Sequence, residues 1–296
     1  MYSAHVLVKK GWVDAMFIAD SQVHIWAAET PERPWRAGPR NAPHRPEPFT
    51  KDDLLAEMDA AGVTRAVLVP PSLEGDRNDL VLDAAAQHPD RFVAMGRIGL
   101  DDPGNIALVQ ALKNQPGMRG FRVTFASAGK VISTARDASW LWSAAEREGV
   151  PLMISQSPDL FGDIRYIAES HPGLAIAVDH FAVVRHKLDD DAFANMPKLV
   201  ALAALPNISV KMSALPCYSS EDYPYRGIHR HLEQAYDAFG PERLFWGTDF
   251  TRLPCTYRQA VTLFTEELPF LSDHDKEWIM GKALCAWLGW ELPAGV

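Results

Sequence analysis

RAVLVPPSLEGDRNDLVLDAAAQHPDRFVAMGRIG, residues 65 to 99, holds one strand, one helix and the next strand in order. Its flanks, RAVLVPPS (65–72) and RFVAMGRIG (91–99), are short and almost continuously apolar, and the helical pattern LVLDAAAQHP between them starts behind Asn78 and stops at a proline. An apolar run without polar alternation belongs to a strand covered on both faces, which is the condition of a parallel sheet.

The same alternation extends outward in both directions. Upstream lies FIADSQVHIW (17–26); downstream follow MRGFRVTF (118–125), PLMISQS (151–157), LAIAVDHFA (174–182), ISVKMSAL (208–215) and RLFWGTDF (243–250). Turn residues introduce several of these runs, as in Ala61-Gly62-Val63, Gly149-Val150-Pro151 and His171-Pro172-Gly173. Helical patterns separate the runs: LLAEMDAAG behind Thr50, WLWSAAEREG behind Ser139, then DIRYIAESHPG, FANMPKLVALAALP, HRHLEQAYDAFGP and CTYRQAVTLFTEEL, with SDHDKEWIMGKALCAWLGW last. Eight strand–helix units in roughly 250 residues predict a single-domain α/β fold, the (β/α)8 TIM barrel, over residues 16–296. Residues 1–15 have no partner in the repeat and read as an N-terminal extension.

Composition narrows the function. The chain has 296 residues, 47% apolar and 23% charged, with 29 basic against 38 acidic side chains and a net charge of −9. No basic field exists to hold nucleic acid or an anionic membrane, so a small-molecule substrate is expected, with a homo-oligomer as a further possibility. No apolar run reaches the roughly 20 residues of a bilayer span, and the two N-terminal lysines follow the only early apolar stretch, the wrong order for a secretory signal. A cytoplasmic location is expected. Cys217, Cys255 and Cys285 are odd in number and widely spaced, and read as reduced thiols.

In a barrel of this kind chemistry sits at the C-terminal ends of the strands, so the polar residues closing each run are the candidates. They are Gln22 and His24, Arg97, Arg122 and Thr124, Gln156, Asp179 and His180, Lys211 and Ser213, and Thr248, Asp249 and Arg252. Ionisable groups interrupting buried strands are costly unless paired, and one shared polar site explains them together. Most other histidines fail the placement test: His88 and His171 precede prolines at helix ends, His229 and His231 do not share a helix face, and His44 lies in a loop. That loop, residues 27–49, carries six prolines and Arg33, Arg36, Arg40 and Arg45, and it overhangs the active face because it follows the first strand. A second overhang, Cys217 to Arg226, brings Tyr218, Tyr223 and Tyr225.

These pieces resemble the amidohydrolase superfamily, in its amidohydrolase 2 branch, near the 2-pyrone-4,6-dicarboxylate hydrolase and sugar-lactonase group. DSQVHIW stands where the family has D-x-H-x-H-x-W; GMRGFRV carries its arginine; VDHFA has its D-H; KMSAL is similar to K-x-S-G; FWGTDF is similar to G-[ST]-D. The order of the pieces and their placement on strands one, four, six, seven and eight make the set specific. The resemblance implies that His24, His180 and Asp249 are the catalytic residues and the ligands of a divalent metal, zinc or manganese, together with Gln22, with no organic cofactor. Gln22 departs from the family, replacing the first histidine with a neutral amide that is a poorer ligand for zinc.

The implied reaction is hydrolysis of a lactone or similar cyclic ester bearing a carboxylate. Asp249 is expected to act as general base on water, with His24 and His180 polarising the carbonyl and Arg122 clamping the carboxylate. Gln22, Gln156, Lys211, Ser213 and Arg97 are the further substrate-binding candidates. The alternatives are a metal-dependent decarboxylase of a hydroxylated aromatic or unsaturated acid, a lactone isomerase, and a non-catalytic ligand-binding barrel.

Overall fold

The structure, a computed structural model, describes residues 16–38, 41–127, 130–131, 135–155 and 160–296. The extension 1–15 and Gln156 therefore lie outside the described residues. Eight parallel strands run in sequence order around one sheet: β1 (Ala19–Val23), β2 (Arg65–Leu68), β3 (Phe92–Arg97), β4 (Met118–Thr124), β5 (Leu152–Ser155), β6 (Ile176–Val178), β7 (Ile208–Ser213) and β8 (Leu244–Gly247). The last strand returns to the first: the Asp249 amide donates to the Gln22 carbonyl at 2.9 Å, and the Thr248 amide to the Asp20 carboxylate at 3.0 Å. This is the (β/α)8 barrel expected from the sequence.

Glycine at position 247 permits that closure, since a Cβ there would lie 2.3 Å from Ser21 Oγ. Asp20 locks the seam by also accepting from the Gln22 amide, the Thr248 hydroxyl and the Tyr257 hydroxyl. Burial pushes its carboxyl up to about 6 even though these hydrogen bonds pull it down.

Alternation along the strands divides the core in two. In β3, Phe92 and Ala94 face the helices, while Val93 and Met95 fill the barrel with Val67, Met153, Ala177 and Phe245. Trp287 packs on Phe245, and Trp290 lies under the Arg65 guanidinium at 4.4 Å. These C-terminal tryptophans plug the bottom of the barrel, which leaves its top for chemistry.

The helices start and stop largely where the sequence signals them. Thr50 caps α1 (Lys51–Ala61) in a reciprocal box with Asp53, and Gly62 ends it at φ 78°. Asn78 precedes α2 (Asp79–Gln87) without capping it. Its amide instead bonds both backbone groups of Arg97, accepting at 2.7 Å and donating at 3.1 Å, and so fixes the end of β3. Ser139 is the first residue of its helix rather than a cap. A short helix, Ile106–Ala111, stands after β3 where the pattern reading marks none, because six residues are too few to show a period. Among the described residues no helix is long and apolar enough to cross a membrane.

Every strand is shorter than its apolar run in the sequence, and beyond two of them the chain turns left-handed. β6 ends at Val178, and His180, Phe181 and Ala182 follow with φ of 49°, 54° and 52°. β8 ends at Gly247, and Asp249 has φ 51°. Positive φ in residues carrying a Cβ is costly and concentrates at functional positions.

Candidate active site

The barrel top gathers polar groups from six strand ends. Gln22 and His24 come from β1 and the residue after it, Arg97 from β3 and Arg122 from β4, which faces it in register. Asp179 and His180 follow β6, Lys211 and Ser213 end β7, and Asp249 follows β8. Each of these nine is buried.

The histidines are oriented from behind. His24 Nδ1 lies 2.6 Å from the Val69 carbonyl, which can only accept, so Nδ1 carries the proton and Nε2 the lone pair. His180 Nδ1 lies 2.7 Å from Ser213 Oγ. The Gln22 amide nitrogen reaches both Nε2 atoms, at 3.4 Å for His24 and 3.3 Å for His180. Its carbonyl oxygen accepts from the Lys211 ammonium. That contact settles which way the amide faces, because an ammonium cannot accept a hydrogen bond. Lys211 also pairs ionically with Asp179 at 3.0 Å and donates to the Met153 sulfur at 3.3 Å. Asp179 completes the chain by accepting from Arg122 Nε at 3.0 Å.

Burial lowers both rings, His24 to about 4 against the pull of Asp249 and His180 to about 3 against Asp179 and Asp249, so both are neutral at pH 7. Burial likewise lowers Lys211, opposed by Asp179. Asp179 stays well below the usual carboxylate range: burial raises it, and Lys211 and Arg122 outweigh burial. Asp249 is also held below that range, burial being overcome by His24 and His180 when protonated and by Arg252 at every pH.

Asp249 presents two different oxygens. Oδ2 accepts from Arg252 Nη1 at 3.1 Å. Oδ1 is buried, accepts no hydrogen bond among the described residues, and lies 3.2 Å from His24 Nε2. Two facing acceptors repel, and a proton placed on Oδ1 turns the contact into a hydrogen bond.

Of the residues expected to touch substrate, Gln22, Lys211 and Ser213 are fully buried and bonded to other protein groups. Arg122 has one nitrogen committed to Asp179. Arg97 differs: its Nε and Nη1 are buried without partners among the described residues, and burial, then the neighbouring Arg122 charge, pushes it down to about 10.

Sequence reasoning missed His44 by discarding it as a loop residue. Its ring meets His24 edge-on at 5.5 Å between centroids, and its Nδ1 is 2.8 Å from Thr251 Oγ1. The signal was present, since the same loop reads as overhanging the site. Arg45 anchors that loop by stacking on Phe49 and Phe250.

The donor set does not suit a divalent metal. A metal at this point would need the Nε2 lone pairs, and Gln22 directs N–H groups at both, its only oxygen being held by Lys211. Among the described residues no cluster of histidine, cysteine and carboxylate side chains has the geometry to hold a metal.

Comparison with known proteins agrees with the fold. A sequence profile of a family described as amidohydrolase matches residues 19–283. An L-fucono-1,5-lactonase of Burkholderia multivorans is 27% identical over 266 residues, covering 82% of this chain and 86% of the relative. The crystal structure of a putative 2-pyrone-4,6-dicarboxylic acid hydrolase from Pseudomonas putida superposes with a TM-score of 0.73 at 22% identity, over 94% of this chain and 99% of that one. A zinc-bound amidohydrolase from Burkholderia multivorans superposes with a TM-score of 0.77 at 21% identity, over 94% and 100%.

Proposed function

Because the chain belongs to the amidohydrolase family, we propose that it is a hydrolase that opens lactones, with Asp249 as the base that activates water. The lactonase relative supports the reaction class. The observation that carries the role of Asp249 is its Oδ1, a buried carboxylate oxygen without a donor among the described residues, 3.2 Å from the Nε2 of a neutral imidazole.

Asp249 Oδ1 takes one proton from water as the water oxygen bonds to the lactone carbonyl carbon. The proton then bridges Oδ1 and His24 Nε2, so the resting repulsion between them becomes an attraction at the moment of transfer. His24 is thereby the proton partner of the base rather than a donor to the carbonyl, because its only N–H is spent on Val69. The negative charge that develops on the carbonyl oxygen falls to groups with N–H bonds to spare, and Arg97, with two unpartnered buried nitrogens beside Arg122, is the strongest of these. The same pair of guanidinium groups suits a substrate carboxylate. Collapse of the tetrahedral adduct breaks the ring C–O bond, and the leaving oxygen recovers the proton from Asp249, giving a hydroxy acid. Gln22, Lys211, Ser213 and Asp179 are positioning residues, acting through the two rings.

The test is turnover on a panel of neutral sugar 1,5-lactones and carboxylate-bearing lactones, followed by acid release. Wild type is expected to open at least one, and Asp249→Asn to lose about 10³-fold or more in kcat with an unchanged melting temperature. Near-normal turnover by Asp249→Asn sinks the assignment, and carbon dioxide release without ring opening would replace it with decarboxylation.

A further inference from the structure

The position that a metal ion would take between His24 and His180 is filled by a side chain. We propose that the Gln22 amide, held in one orientation by Lys211, occupies the place of a metal ion and makes this centre exclude divalent cations. An amide nitrogen has two hydrogens, and two acceptors face it: His24 Nε2 at 3.4 Å and His180 Nε2 at 3.3 Å. Those are the lone pairs a zinc ion would use, with the opposite ring nitrogens already engaged by Val69 and Ser213.

Rotation of the amide cannot present the oxygen instead. It would face N–H groups against the Lys211 ammonium and would take from that fully buried charge its hydrogen bond to Gln22, leaving the Asp179 ion pair and the Met153 sulfur. Lys211 is held in turn through Asp179 by Arg122, so three residues, from β7, the position after β6, and β4, fix one amide. Charge points the same way. Lys211, Arg122 and Arg252 already face Asp179 and Asp249, three cations to two carboxylates, so a further dication would add to an excess of positive charge rather than neutralise a negative one. The inference concerns metal affinity and stands apart from the lactonase reading, since its readout needs no turnover.

The decisive variant is Gln22→Glu, which keeps the shape and replaces the N–H2 group by an anionic oxygen. Wild type and Gln22→Glu are expressed with added zinc, dialysed without chelator and assayed for zinc by plasma mass spectrometry and calorimetry. Histidine ring 15N spectra locate any bound ion, and thermal melts verify the fold. Wild type is expected to hold far less than one zinc per chain, with both Nε2 resonances unmoved by zinc, while Gln22→Glu gains one zinc per chain with at least about 100-fold tighter binding. Stoichiometric zinc on wild type that shifts both Nε2 resonances overturns the proposal, as does a folded Gln22→Glu that still refuses zinc. Should Gln22→Glu fail to fold, the wild-type spectra alone decide.

Discussion

At the scale of single residues, the contact between Asp249 Oδ1 and His24 Nε2 makes a prediction about pH. His24 is lowered from 6.5 to about 4, so the lone pair that steadies the transferred proton is available throughout the neutral range. Below about pH 4 the ring is an imidazolium bonded to Asp249, and the base is engaged. A kcat profile that is flat from pH 8 to about 5.5 and falls toward pH 4 is expected; an acid limb centred near 6.5 would show an exposed, ordinary histidine and contradict this arrangement. Replacing the ring by His24→Phe keeps the bulk and removes the lone pair. A fall of about 10² to 10³ in kcat with KM changed less than about threefold is expected, and a variant that loses KM alone would make His24 a binding residue. None of this was legible from the motif. DSQVHIW places His24 at the right strand end, yet the tautomer depends on Val69, the residue that follows β2. Likewise Gln22 reads in the sequence as a weakened ligand, and its actual partner, Lys211, is 189 positions away.

Secondary-structure elements explain which parts of the site the sequence could deliver. A β-strand places residues 22 and 24 on one face, and the structure brings Gln22 and His24 within 3.4 Å. The ends of β6 and β8 were overestimated because the usual mark of a left-handed residue is glycine or asparagine, and here His180, Phe181, Ala182 and Asp249 take that conformation with Cβ atoms in place. The tertiary contacts of the barrel rim compensate for that cost, so local sequence carries no trace of it. By contrast, the glycine of FWGTDF does carry meaning, as the element that lets β8 approach β1. Gly247→Ala places a methyl group 2.3 Å from Ser21 Oγ, and that hydroxyl has no hydrogen-bond partner among the described residues. The single substitution is expected to cost about 2–3 kcal/mol in denaturant unfolding. Ser21→Ala alone should be nearly neutral, and the double variant should recover at least about 1 kcal/mol of the loss. Strict additivity would mean that the clash is relieved by backbone movement instead and that the seam is looser than its hydrogen bonds imply.

Over the whole molecule, the barrel was readable because it rests on a period: apolar runs that do not alternate require two covered faces, and eight of them in order admit few arrangements. Burial of charge at the barrel top was not readable, and it governs how stability depends on acid. His24 and His180 fall from 6.5 to about 4 and about 3 on folding, so between these values the unfolded chain binds two protons that the folded chain refuses. Their contribution is fully present above pH 6.5 and is lost as pH falls. Asp20 acts in the opposite sense: raised from 3.8 to about 6, it binds a proton in the folded state first, and favours folding as pH falls through that window. For these three groups the difference is about one proton, or about 1.4 kcal/mol of stability lost per pH unit between roughly 6 and 4, and His44 and His231, also lowered by burial, act in the same sense as the two rings. Below pH 4, Asp179 and Asp249, both held under the usual carboxylate range, steepen the loss. Urea unfolding at pH 7, 6, 5 and 4.5 measures this slope. Asp20→Asn removes the opposing proton, so its stability, whatever its value at pH 7, should fall about twice as steeply. Equal slopes in the two proteins would show that Asp20 stays ionised in the closed seam, and a wild-type stability that is flat between pH 6 and 4.5 would show that the two rings take up protons without leaving the barrel.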